Sequence, residues 1–202
     1  MTKATSFISL AATLIFVLLL IALHMISNEI SPISYGISYY AFGNFGYLIG
    51  IALISVGIGG MMFGVTKWSS TFSNTGRAGI ILLVTWGFLS IFAGLFPLDP
   101  PNSPITLSGV IHNIAGRNVI FVVPSVFLIE IAAAKSHLSS RNKNRKLLLA
   151  WFLLMATVLM FIFNAPYAYL GFGGVFQRLY WFALTFWLII SACQQLRQTS
   201  YG

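Results

Sequence analysis

Residues 7–26 read FISLAATLIFVLLLIALHMI, twenty positions without one Asp, Glu, Lys or Arg. A bilayer-spanning helix needs about 20 mainly apolar residues, so this stretch sets the class of the chain. It exceeds the roughly 7–15 residues of a secretory h-region, and no A-x-A-like site follows it. It therefore reads as an uncleaved signal-anchor helix. Five further stretches repeat the pattern at 47–65, 78–96, 116–134, 147–165 and 179–196. The fourth is able to begin earlier, because Thr106-Leu107-Ser108-Gly109 can cap a helix, and the sixth near Gly173. The expected fold is all-α: a polytopic integral membrane protein, a bundle of six transmembrane helices in a single domain over 1–202.

Composition agrees. Of 202 residues, 58% are hydrophobic and 7% charged, against about 25% charged in soluble domains. A water-facing surface cannot be built from so few charges. The five Trp and eight Tyr suit the membrane–water interface. The single cysteine, Cys193, excludes an intrachain disulfide or a zinc–thiolate cluster and reads as a small packing residue.

The net charge of +8 is not a nucleic-acid patch, since its basic residues lie between apolar runs. Lys3, Lys67, Arg77, Lys135, Arg141, Lys143, Arg145, Lys146 and Arg197, nine of the eleven Lys and Arg, fall on one side of a six-helix arrangement; only Arg117 and Arg178 fall on the other. The positive-inside rule then places both termini in the cytoplasm and the protein in the cytoplasmic membrane. The cluster Arg141-Asn142-Lys143-Asn144-Arg145-Lys146 suits anionic headgroups, as topology alone would also produce. The second helix is glycine-rich, and pairs such as Gly46/Gly50 and Gly60/Gly64 allow close helix approach. Internal packing is the expected use and a dimer seam the alternative.

Chemistry-bearing residues gather on the expected outer side. Glu29, Asp99 and Glu130 are the only acids. Glu29, Asp99, His112, Arg117 and Arg178 share that outer level, where charge is costly and invites a site hypothesis. Asp99 is expected to pair with Arg178 or Arg117, with His112 bonded to it. The alternative is a network that merely pins the loops. Ser34, Ser38 and Ser108 are possible nucleophiles near His112, and nothing local singles one out. Glu130, about one turn from Lys135, reads as a snorkelling or loop-paired carboxylate rather than part of a proton relay. His24, His112 and His137 form no H-x-x-x-H pair, so no metal is expected, and the sequence names no cofactor.

Three outer segments read together: Ser38-Tyr39-Tyr40-Ala41-Phe42-Gly43-Asn44-Phe45-Gly46; Phe96-Pro97-Leu98-Asp99 with Ser108-Gly109-Val110-Ile111-His112; and Gly174-Val175-Phe176-Gln177-Arg178. In order and spacing the set resembles the prokaryotic six-helix membrane family called domain of unknown function 998, whose motifs look like S-[DE]-Y-x-x-G-x-x-G, F-P-x-D, H-G-x-x-H and G-x-x-Q-R. The resemblance implies a shared polar cluster containing Ser38, Tyr40, Asp99, His112, Gln177 and Arg178. It implies no reaction. Two positions depart: Tyr39 replaces the acid of the first motif and Ser108 the first histidine of the third. A site built on those groups in relatives would be altered here.

The function expected from these readings is non-enzymatic. The protein would bind a lipid or small amphipathic molecule at the outer cluster (Asp99, His112, Arg117, Gln177, Arg178, Ser38 and Tyr40), or serve as an accessory subunit of a larger membrane protein assembly. Membrane lipids are the expected partners, without nucleic acid. The alternatives are a membrane-embedded hydrolase or transferase using Asp99, His112 and Arg178, or a small transporter. For the last, Pro124 in the fourth stretch is thin support.

Overall fold

A computed structural model describes residues 2–71, 73–135, 140–164 and 170–198. Helices α1 (Thr2–Ile26), α2 (Tyr47–Trp68), α3 (Asn74–Leu95), α4 (Leu107–Gly116), α5 (Val119–Lys135), α6 (Ser140–Asn164) and α7 (Gly173–Gln198) follow in order, with a 3-10 turn at Ile37–Phe42 before α2. Among the described residues there is no strand. His137 and the side chains of Lys135 and the 141–146 cluster lie outside the described residues.

Local chemistry sets the boundaries. Ser73 caps α3 by accepting the Gly76 amide at 3.1 Å, and Thr106 caps α4 by accepting the Gly109 amide at 3.1 Å. Pro97, just beyond α3, cannot continue it. The fourth apolar stretch starts at the Thr106 cap but is two helices rather than one. It breaks after Gly116, a poor helix residue. Asn118 then turns inward, and its Nδ2–H donates to Ser90 Oγ at 2.8 Å inside the bundle.

The helices form a closed ring: α1 packs on α2, α2 on α3, α3 on α5, α5 on α6, α6 on α7, and α7 back on α1, while α4 lies against α3. Four spans and the α4–α5 pair are long and apolar enough to cross a bilayer, and Leu147–Phe163 of α6 is a shorter apolar helix. Large apolar side chains such as Phe7, Leu18, Ile81 and Leu148 stay exposed around the ring. An outward apolar surface of this extent needs lipid as its solvent. The chain is a multi-pass membrane protein.

Lipid tails are as apolar as leucine, so helix association relies on close contact. Along the antiparallel α2–α3 seam, a Cβ at Gly50 would strike the Gly94 carbonyl, and one at Gly57 the Gly87 carbonyl. Gly60 lies under the Trp86 ring, where a Cβ would come within 2.6 Å. The α2 glycines thus serve internal packing. Aromatic rings fill the centre: Phe63 meets Trp187 edge-on at 5.2 Å, and Phe16 meets Trp181 at 4.9 Å. Only part of the tryptophan set is therefore interfacial. Trp86, Trp181 and Trp187 are buried, whereas Trp68 and Trp151 are exposed. For Glu130 the snorkelling alternative is not what is found, and the loop-paired alternative falls on side chains outside the described residues. The Glu130 carboxylate is buried and accepts the Trp187 indole N–H at 2.9 Å.

Candidate functional site

One end of the ring carries the connections 27–46 and 96–106 and the start of α7; it is called the cap end below. There, three short pieces of chemistry interlock.

The first begins with Asp99. Its two oxygens accept the Thr106 amide at 2.8 Å and the Thr106 hydroxyl at 2.6 Å. Thr106 is in turn the cap of α4, so a carboxylate sits at the positive end of that helix. The bonds from Thr106 hold the Asp99 carboxyl below its ordinary pKa of 3.8. Gly109 lies against the Asp99 carboxylate, so a side chain there would force that carboxylate off its Thr106 partners or out of place.

The second follows from Pro97. In a continuing helix the amide of residue 97 would bond to the carbonyl of residue 93, and proline has no amide. His112, on the adjacent turn of α4, supplies the missing donor. Its Nδ1 lies 2.9 Å from the Ala93 carbonyl and 2.8 Å from the Phe96 carbonyl. Carbonyls only accept, so Nδ1 carries a proton, and in the neutral ring Nε2 is left as the acceptor. Ser38 Oγ lies 3.1 Å from that Nε2 and donates to it.

The third holds the 37–42 turn in place. Gln177 Oε1 accepts the Ile37 amide at 2.6 Å. Arg178 donates from Nε to His24 Nε2 at 2.6 Å, from Nη1 to the carbonyls of Tyr35 at 2.7 Å and Gly174 at 2.9 Å, and from Nη2 to the Tyr40 hydroxyl at 3.0 Å. His24 Nδ1 bonds to the Leu20 carbonyl at 2.6 Å, which fixes its tautomer in the same way. Glycine at 174 lets the 32–35 backbone lie directly on α7.

Of the residues expected to converge, Ser38 and His112 meet directly. Tyr40, Gln177 and Arg178 gather about one turn of chain beside them. The expected ion pair does not form. Asp99 is engaged by Thr106 and Arg178 by neutral acceptors, and among the described residues no carboxylate lies within ion-pair reach of Arg178. His112 bonds to backbone carbonyls rather than to Asp99. Arg117 is exposed at the α4–α5 break, more than a helical turn beyond His112, and takes no part. Sequence reasoning missed His24 as the acceptor for Arg178. The signal was its position in the last turn of an otherwise uncharged apolar run.

Beside the Ser38–His112 pair, the cap-end halves of α2 and α3 leave a cleft of about 400 Å³. Its walls include Ile49, Leu53, Ile54, Leu95 and Leu98, and both Ser38 and His112 line it. Gly50 and Gly94 also border it, so the pair that brings the helices together contributes no side chain to fill it.

A family profile described as "Protein of unknown function (DUF998)" matches residues 10–194. The chain belongs to this family. No curated protein and no solved structure matches it. The matched region contains every group of the DUF998 cluster described above. At the two departures from the motifs, Tyr39 stacks on Tyr35 with ring centroids 4.8 Å apart and meets Phe42 edge-on, while Ser108 donates to the Pro97 carbonyl at 3.0 Å. Neither side chain takes part in the hydrogen bonds of the Ser38–His112 pair, so in this DUF998 protein that pair is made without them.

Proposed function

We propose that this protein binds the apolar portion of a lipid or small amphipathic molecule in the cleft between α2 and α3, with the molecule's polar portion at Ser38 and His112. The carrying observation is the cleft itself, lined mainly by apolar side chains with Ser38 and His112 among the few polar ones. Its volume lies in the roughly 300–1,000 Å³ range of small-molecule sites, which typically combine apolar walls with a few placed polar groups. The basic-residue asymmetry supports a cytoplasmic-membrane protein with its cap end outside.

Native mass spectrometry of the detergent-solubilised protein, with added monoacyl or diacyl phospholipid, tests this reading. Retained amphiphile is expected for the wild type and expected to be lost in Ile54→Trp, which fills the cleft. Ile81→Trp, on an exposed face of α3, should retain it. Equal retention by all three would overturn the proposal.

A further inference from the structure

The geometry points to an acyl-transfer function: Ser38 is a nucleophile and His112 its general base, acting on a carboxylic ester of a membrane amphiphile held in the α2–α3 cleft. The inference deepens the binding reading above and rests on it. Three observations carry it. Ser38 Oγ already donates to His112 Nε2 at 3.1 Å, within the reach a base needs to take a hydroxyl proton. The tautomer is the productive one, because Nδ1–H is engaged by the Ala93 and Phe96 carbonyls. Both side chains line the cleft rather than facing protein alone.

The two carbonyls stand where a Ser-His-Asp site places a carboxylate. That carboxylate orients the ring, fixes its tautomer and stabilises the imidazolium that forms. The Ala93 and Phe96 carbonyls hold ring and tautomer in the same manner. They also lie at the C-terminus of α3, whose negative dipole end favours a cation. Neutral carbonyls give weaker support than a carboxylate, so slow turnover is expected. The nucleophile is held from its other side: Gln177 fixes the Ile37 amide and Arg178 the Tyr40 hydroxyl, at either end of the short turn that presents Ser38. The remaining candidate serines are used differently or lie elsewhere. Ser108 donates to Pro97, and Ser34 does not line the cleft.

The steps balance without a further cofactor. Ser38 Oγ bonds to the ester carbonyl carbon as its proton passes to His112 Nε2. The tetrahedral adduct then expels the alcohol, which takes that proton from Nε2. Water, or a second alcohol, attacks the acyl-serine and gives its proton to Nε2. Collapse releases the acid or the new ester and returns the proton to Ser38. The apolar walls favour a long acyl chain, since moving each methylene out of water into an apolar site is favourable.

The test uses the full chain in dodecyl maltoside micelles with an alkyl fluorophosphonate, which forms a phosphonyl–serine bond and releases fluoride. Peptide mass mapping should place one adduct on Ser38. Ser38→Ala should abolish it. His112→Asn, which keeps a side-chain donor for the carbonyls but no base, should slow labelling about 10²-fold or more. Ser34→Ala should label as the wild type does. p-Nitrophenyl dodecanoate should be cleaved at least tenfold faster than the acetate, and only when Ser38 is present. A wild type that retains phospholipid in the mass spectrometer yet forms no Ser38 adduct overturns the dyad and leaves the binding reading standing. A Ser38 adduct on a protein that retains no phospholipid supports the dyad and overturns the binding reading. Labelling that survives Ser38→Ala also overturns the dyad.

Discussion

The carbonyl of Ala93 takes its hydrogen bond from His112 Nδ1–H, at 2.9 Å, in place of the amide that Pro97 lacks. One proline thus opens an acceptor on α3 and one histidine on α4 closes it, which joins the two helices and aims Nε2 at Ser38. Ala93 is buried, so removing the donor leaves a carbonyl unsatisfied. His112→Ala is expected to cost about 1–3 kcal/mol, read as a lower melting temperature in detergent. His112→Asn should recover part of the loss. An unchanged melting temperature in His112→Ala would show that the bond does not anchor α4.

Asp99 gives a pH dependence with a definite sign. Its folded pKa is lowered by Thr106, so its contribution to stability is present above the ordinary value of 3.8 and is lost as pH falls through the lower folded value. The group is partly exposed to solvent, and the effect should be small and weakened by salt. The melting-temperature gap between wild type and Asp99→Asn should narrow as pH drops below 3.8. In the same assay Asp99→Asn and Arg178→Gln should be additive, because the two side chains share no partner. A large coupling between them would require the ion pair that the structure does not contain.

Much of the fold was legible because a bilayer demands long apolar runs, and each run from 7–26 to 179–196 marks a helix. The α4–α5 break was not legible: residues 107–133 form one apolar window, and only the inward bond from Asn118 to Ser90 reveals the interruption. At the site, charge scarcity drew attention to Asp99 and Arg178 as a pair, but each finds another partner. Asp99 and Arg178 are complementary in charge, yet local backbone geometry satisfies each more closely. Thr106 is seven residues from Asp99 in a proline-constrained loop, and the Tyr35 and Gly174 carbonyls are brought to Arg178 by glycine at 174. Likewise, the family motif includes Ser38, but nothing local in the sequence favoured it over Ser34 or Ser108 as a nucleophile; that depends on where the 37–42 turn docks on α7.

Packing of α2 is tested at Gly60. The Trp86 ring lies against it, so Gly60→Leu must displace a buried indole at the centre of the ring of helices. The expected destabilisation is about 1–3 kcal/mol, visible as a lower detergent melting temperature. Leucine tolerated at 60 without loss would show that the α2–α3 seam is looser than described.

The orientation proposed from basic-residue asymmetry is tested by single cysteines at Ser103 and Ser140 in a Cys193→Ala background. A membrane-impermeant maleimide applied to intact cells should label position 103 and spare 140 until the membrane is opened. Labelling of both positions from outside would contradict the topology.

The proposal that the α2–α3 cleft binds an amphiphile is tested most directly by photolabelling with a phospholipid carrying a diazirine near its chain terminus. After irradiation and peptide mapping, adducts should concentrate on the cleft segments, residues 49–54 and 93–98. They should fall on competition with unlabelled lipid and be lost in Ile54→Trp. Adducts spread evenly over the exposed faces of α1, α3 and α6, undiminished by competitor or by Ile54→Trp, would show bulk solvation by lipid and contradict the binding site.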